Sequence, residues 1–255
     1  MMAGFSDQTT GVAGLRVVPH PAVMLVVDIG GGLVVGDASG WQQRGSMVAG
    51  LAPVGAAGHG SRHFECLQVR LSPPVAHAVL GGCGELSGTV VALEDLWGRD
   101  AERIQEQLRA AATWEDRFAL AEAALARRKE AGRAVDPEVG FAWGQLVATQ
   151  GRVRIERLAA EAGWSRKRLW SRFQSQIGLT PKRAARLVRF DHAARLLAAG
   201  HSAAMVAADS GFADQSHLHR DVVEFAGMTP AAMAVTPFLA VDDVAWPDAQ
   251  SAAGA

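Results

Sequence analysis

The sequence predicts an α+β chain: a β-rich N-terminal part, a small barrel or sandwich followed by helices, then an all-α C-terminal part with two helix-turn-helix units joined by a long helix. Three observations lead there. Short β-branched runs broken by Pro, Gly and Ser clusters occupy residues 15–71. Helical periodicity takes over after Ser72-Pro73-Pro74. Residues 152–233 contain the same small design twice.

The duplication can be read position by position. Ala159, Gly163 and Trp164 recur as Ala207, Gly211 and Phe212, each 48 positions later. Leu169, Phe173, Gly178, Thr180 and Pro181 recur as Leu218, Val222, Gly227, Thr229 and Pro230, each 49 later, so one residue is inserted in the second turn. In each copy a small residue in the first helix lets the second helix cross closely, and Gly permits a left-handed turn between them. Ser165 is placed to cap the second helix of the first copy. That helix buries Leu169, Phe173 and Ile177 at i, i+4 and i+8, turning Lys167, Trp170, Ser171 and Gln174 outward. In the second copy Leu218, Val222 and Phe225 face in, while Ser216, His219, Arg220 and Val223 face out.

Between the copies, Thr180-Pro181 reads as a cap with Pro at the first helical position, and the run continues to Ala199 before Gly200. A helix over 181–199 spans about 28 Å. Successive major-groove faces of B-DNA lie about 34 Å apart. A connector of that length is suited to presenting two helices to adjacent grooves on one face of a duplex.

These residues carry a resemblance. Gly211-Phe212, Ser216, Leu218, Arg220, Gly227 and Thr229-Pro230, following LAAEAGWSRKRLWSRFQSQIGLTP, resemble the AraC/XylS family of transcription regulators, over roughly 100 of the 255 residues. The resemblance implies a seven-helix DNA-binding domain with two helix-turn-helix units on a long helix. The chain departs from the family pattern at Val222, Val223 and Met233, where Phe, Lys and Tyr are usual. Around VRLSPPVAHAVLG and VVALEDLWG the N-terminal region resembles the sensor domains that accompany this module, many of them cupin-like, and that resemblance implies no particular ligand.

Charge supports a nucleic-acid partner. The net charge of −1 conceals a block at 152–199 with twelve Lys/Arg against three Asp/Glu, a net of +9. Residues 200–236 hold one Arg against four acids, a net of −3. A basic block on a recognition helix and connector is what phosphate neutralisation requires. The expected DNA contacts are therefore Arg166, Lys167, Arg168, Trp170, Ser171, Arg172, Lys182 and Arg183 from the first unit and connector, and Gln215, Ser216, His217, His219 and Arg220 from the second. Lys167, Trp170 and Ser171 are expected to read bases; Trp170 lies about 100° from Leu169, off the buried stripe, with a rim-of-core place as its alternative. The contrast of charge predicts unequal labour. The first unit supplies most electrostatic affinity, and the second is a weaker reader whose His217 and His219 gain charge as pH falls.

Taken in order, residues 1–14 carry no periodic signal and read as mobile. Strands are expected in LRVV, VMLVVDIG, GLVVG, SMVAGL and FECLQVRL, with Gly30-Gly31-Gly32 and Gly58-His59-Gly60 as turns. Helices follow in VAHAVLG, in a tract that VVALEDLWG introduces, and over 113–129, where Thr113 and Asp116 resemble a capping box and Phe118, Ala121 and Leu125 form a stripe. Asp136-Pro137 opens another helix with Val139, Trp143, Leu146 and Val147 inward. This divides the chain into a sensor or dimerisation domain at 1–135, a DNA-binding domain at 136–240 and a disordered tail at 241–255.

Other chemistries find little support. His59, His63, Glu65 and Cys66 are the one metal-like cluster, but a strand puts His63 and Glu65 on one face and turns Cys66 away. No metal or cofactor is expected. Ser46, Ser61, Ser72 and Ser87 lie in no nucleophile elbow, and His77 stands alone, so no catalytic residue is assigned and an enzyme is not expected. Cys66 and Cys83 read as buried thiols. No apolar run approaches the roughly 20 residues that span a bilayer, and a cytoplasmic location is expected. The expected function is sequence-specific transcription regulation modulated by a small molecule at the N-terminal domain. A constitutive regulator whose N-terminal domain only self-associates is the alternative, and a cupin-like metalloenzyme domain fused to the module a remote one. Double-stranded DNA is the expected partner; an effector, RNA polymerase and a second copy of the chain are further candidates.

Overall fold

The computed structural model describes residues 1–7, 15–16, 18–36, 42–52, 57–60 and 64–235. Its strands are β1 (Met2–Asp7), β2 (Leu15–Arg16), β3 (Val23–Asp28), β4 (Leu33–Gly36), β5 (Gln42–Arg44), β6 (Met47–Ala49), β7 (Ala57–Gly60), β8 (Phe64–Leu71) and β9 (Val90–Ala92). They form two antiparallel sheets, ordered β1-β8-β3-β6-β9 and β2-β7-β4-β5. Register explains the first sheet's core. Leu25 of β3 pairs with Val69 of β8 and Val48 of β6, and all three are buried. Such a row of branched side chains on one face fixes the pairing, because a slip of one residue would turn it outward.

Three expectations are corrected. Residues 2–7 are not a mobile end: β1 pairs along β8, held by the backbone ladder rather than by an apolar period, so its side chains carry no signal. Gly4 lets the Trp114 ring lie against that strand, where a Cβ would come within 2.3 Å of it. Gly58-His59-Gly60 is part of β7, paired with β2 and β4, since a ladder needs no side chain. VVA of VVALEDLWG is the edge strand β9 rather than helix. Residues 8–14 and 236–255 lie outside the described residues.

Four helices follow β8, with β9 between the first two: α1 (Pro73–Leu80), α2 (Leu93–Trp97), α3 (Arg99–Ala110) and α4 (Trp114–Ala131). Thr113 caps α4, its hydroxyl accepting from the Asp116 amide at 3.1 Å and donating to the Asp116 carboxylate at 2.6 Å. Ala121 and Ala124 are buried on its inner face beside partly buried Phe118 and Leu125.

The C-terminal part contains α5 (Pro137–Ala148), α6 (Ile155–Glu161), α7 (Arg166–Ile177), α8 (Pro181–Ala198), α9 (Ala203–Asp209), α10 (Gln215–Ala226) and α11 (Pro230–Val235). Helix α5 buries Val139, Ala142, Trp143 and Leu146, but Val147 is 48% exposed, because the stripe closes at Leu146 and the next residue turns away. The buried apolar side chains of both parts form one contiguous cluster. Among the described residues no helix is long and apolar enough to cross a membrane.

Candidate nucleic-acid interface

The two repeats fold to matching backbones. In the turn between α6 and α7, Gly163 has φ +67° and the Trp164 amide donates to the Ala159 carbonyl at 2.9 Å. Between α9 and α10, Gly211 has φ +73° and the Phe212 amide donates to Ala207 at 2.9 Å. A side chain would be strained at either glycine. Ser165 caps α7 through the Arg168 amide at 3.2 Å, and Asp214 caps α10 through the His217 amide at 2.7 Å. Beyond each second helix, Thr180 and Thr229 cap α8 and α11 in the same way, at 3.2 and 3.1 Å.

Inward faces are as the spacing predicts. Leu169, Phe173 and Ile177 of α7 and Leu218, Val222 and Phe225 of α10 are all buried. Lys167, Trp170, Ser171 and Gln174 on α7, and Gln215, Ser216, His219, Arg220 and Val223 on α10, are exposed, Trp170 by 50%. An exposed indole on an outward helical face adds area for a partner's groove at small entropy cost. Helix α8 spans about 27 Å at the helical rise. It buries Leu187, Phe190, Ala194 and Leu197, and its Phe190 ring lies 5.1 Å from that of Phe225 on α10.

Not every predicted cation is free. Arg172 grips Asp136 with two donors, Nε at 2.7 Å and Nη2 at 3.0 Å, and these bonds hold the Asp136 carboxyl below the usual carboxylate range. Arg166 reaches Glu156 at 3.3 Å with both side chains mostly exposed, a pair that water screens. Arg168 lies over the Trp164 ring, 4.4 Å from its centroid. His217 is half-buried, edge-on to Phe212 at 5.2 Å, and its Nδ1 accepts from the Ala213 amide at 3.5 Å. Lys182 and Arg183 are exposed in the first turn of α8. Arg220 donates to the Ser216 carbonyl at 3.2 Å and otherwise projects outward.

A cleft of about 720 Å³ lies between the units, lined by Arg152, Arg154, Lys182, Arg189, His217 and Arg220 among others. Of these, Arg152, Arg154 and Arg189 are not among the residues expected from the sequence. The signal was available in the basic block, where Arg152 and Arg154 immediately precede α6. The acids of α10 are also explained. Asp221, 2% exposed, accepts from Arg186 at 2.7 Å and lies 3.7 Å from Arg189, and Glu224 also pairs with Arg186. They lock α10 to the connector. Burial lowers the Arg189 pKa, while Asp221 raises that of Arg186.

The end of α7 also meets the N-terminal part. The Gln176 carbonyl lies 3.1 Å from His77 Nδ1 and accepts from the Cys83 thiol at 3.1 Å, while Gln176 Oε1 accepts from the Asp136 amide at 2.8 Å. A Cβ on Gly84 would stand 2.3 Å from the Ser175 carbonyl. Elsewhere, Glu65 pairs with Arg117 at 2.6 Å, burial pushes the Cys66 thiol up to about 12, and His63 lies outside the described residues. Among the described residues no group of three or more His, Cys, Asp or Glu could hold a metal ion.

Comparison with known proteins agrees with this geometry. Residues 158–234 match the helix-turn-helix domain family. Two crystal structures of ToxT from Vibrio cholerae share the fold at a TM-score of 0.50: one from O395 bound to (E)-4-(8-methylnaphthalen-1-yl)but-3-enoic acid, 11% identical over 92% of this chain and 97% of that one, and the unsaturated fatty acid bound wild type from strain SCE256, 9% identical over 92% and 94%. The C-terminal domain of AraT, a response regulator from Geobacillus stearothermophilus, is 18% identical over 41% of this chain and 89% of that one, with a TM-score of 0.38. No curated protein matches. The sheets followed by helices reproduce the two-part architecture of ToxT, and residues 158–234 form a helix-turn-helix domain of the AraC type, a DNA-binding module.

Proposed function

We propose that α7 and α10 enter adjacent major grooves on one face of a duplex and that the N-terminal part tunes this binding through a small molecule. The observation that carries the reading is the pair of outward faces on two backbones of matching geometry. Lys167, Trp170 and Ser171 read bases from α7, and Gln215, Ser216, His219 and Arg220 from α10. Arg154, Arg168, Lys182 and Arg183 meet phosphate. Arg166 and Arg172 serve mainly to hold Glu156 and Asp136, and His217 packs the second turn. The DNA-reading unit begins at Asp136, and residues 1–135 are the sensing part. Support for a small-molecule effector comes from the fold shared with ToxT, solved with a fatty acid and with a synthetic butenoic acid bound. DNA in the cytoplasm is the expected target, and RNA polymerase and a second copy of the chain are the further partners this reading allows.

Selection of duplexes from a random library by the full chain tests the reading. Two half-sites centred about 10–10.5 base pairs apart are expected, with protection confined to one face. Retention of all sequences alike, or a single half-site that is indifferent to changes in α10, would overturn it.

A further inference from the structure

Away from the DNA-binding face, α1, α3 and α4 enclose a cleft of about 440 Å³. That volume suits a small ligand. Its floor is apolar, with Val79, Ile104 and Ala124, and its polar lining includes Arg103, Arg127 and Arg128 against the single acid Asp100. Asp100 is already engaged, at 3.2 Å from Arg103 and 3.0 Å from Arg128. Arg128 also donates to the Val79 carbonyl at 3.1 Å and lies 4.5 Å over the Trp97 ring. Arg127 has no ion-pair partner among the described residues.

Trp97 supplies the second, independent observation. It lines the cleft and is only 6% exposed, yet its indole Nε1 has no hydrogen-bond partner among the described residues. A buried donor left unmade costs free energy, and an indole N–H can only donate. The lining therefore offers donors in excess, three guanidinium groups against a carboxylate that is already paired, with an orphaned N–H on a wall residue that is closed to solvent as the helices stand. The complementary ligand is an acceptor-rich anion with an apolar body.

We infer that this cleft is an effector site for small organic carboxylates, read by Arg127 and, once the helices part around it, by the Trp97 N–H, and coupled through α1 to the first recognition helix. The coupling part rests on the function proposed above. Its physical route is short. Ala78 and Val79 of α1 line the cleft, while His77 of the same helix and Cys83 just beyond it contact the Gln176 carbonyl at the end of α7. On the other side Gly132, at the end of α4, lies so close to α1 that a Cβ would stand 2.0 Å from the Ala78 carbonyl. A ligand that parts α4 from α1 thus moves the helix against which α7 ends.

The test uses the full chain with ¹⁵N-labelled indoles and three probes: benzoate, 4-phenylbutyrate and decanoate, each beside its neutral amide. The Trp97 cross-peak is assigned by its loss in Trp97→Phe. At least one carboxylate should move that peak and bind at least about tenfold more tightly than its amide. Arg127→Glu, at an exposed position that folding does not need, should abolish the shift. Operator affinity should change by about fivefold or more on saturation. An unmoved Trp97 peak with all three carboxylates, or equal binding of acid and amide, overturns the site; a shift without a change in DNA affinity overturns the coupling. Sequence-specific DNA binding measured without any carboxylate separates these results from failure of the proposed function, which would show as unselective binding with the Trp97 shift intact.

Discussion

The α6–α7 and α9–α10 units share turn geometry, caps and buried stripes, but they are anchored differently. The first is tied to Asp136 through Arg172 and ends against His77 and Cys83 of the N-terminal part. The second is clamped to the connector by Arg186 and Arg189 through Asp221, with Glu224 on the same arginine. Summed charge therefore misleads in both directions. Three of the four acids behind the net of −3 over 200–236 are engaged within the protein: Asp221 is buried against α8, Glu224 pairs with Arg186 and Asp214 caps a helix. The net of +9 is likewise diluted by Arg172 and Arg186, which pair with Asp136, Asp221 and Glu224 outside the block, whereas the pairs of Arg157, Arg166 and Arg195 involve the three acids already subtracted. What differs between the outward faces is a few cations, not a change of sign.

The largest contrast should appear in the cores. Phe173 and Val222 occupy equivalent buried positions, so Phe173→Ala should cost about 3–5 kcal/mol and Val222→Ala roughly half of that. Urea unfolding of the two variants measures this, and equal losses would mean that the second core is not the slighter one. Next is Asp221→Ala, which leaves Arg189, 16% exposed, without its acid, for a loss of about 3 kcal/mol. Hydrogen exchange should show α10 opening before α7. Uniform loosening of both helices would break the idea that the clamp belongs to the second unit.

Smaller effects concern DNA. Lys167→Ala should relax preference at one or two base pairs by about 1–3 kcal/mol if Lys167 reads bases, whereas equal loss on every sequence would assign it to phosphate. Each phosphate contact adds about −0.9 to the slope of log affinity against log salt. The triple variant of Arg168, Lys182 and Arg183 to Ala should therefore flatten that slope by more than twice as much as Arg220→Ala. Equal slopes would show that the two units carry similar electrostatic weight.

The helical part was legible because its signals are local and repeated. Leu169, Phe173, Leu218 and Val222 sit at helical spacing, and the turn glycines recur at a fixed distance from them. The outward site residues followed from the same period. Pairing did not: nothing at Asp136 announces a partner 36 residues away, and Asp221 reads as an ordinary surface acid until α8 is packed beside it. In the sheets, β1, β5 and β7 carry no such signal, because ladder pairing uses backbone groups that every residue has. The α1–α3–α4 cleft was invisible for a related reason. Its residues come from segments whose individual periods reveal which face is buried, but not where two buried faces fail to close.

The smallest effect should come from pH, and it separates the two anchors. Hydrogen bonds from Arg172 depress the Asp136 pKa in the folded state, so the folded form holds that proton less tightly than the unfolded chain does. The stabilisation is therefore complete above the unfolded carboxylate value, about 3.9, and is lost as pH falls through the lower folded value. Asp136→Asn should lower the Tm near neutral pH by a small amount, because the pair is partly exposed, with side chains 27% and 44% accessible, and is screened by salt. The gap to wild type should then narrow on acidification below the ordinary carboxylate range and also shrink in high salt. The Asp221 clamp, buried at 2% exposure, should keep more of its effect in salt. A gap for Asp136→Asn that is unchanged by both acid and salt would mean that its Gln176 contact, not the ion pair, anchors the first unit, since the Asp136 amide bond to Gln176 survives the substitution only if the loop stays in place.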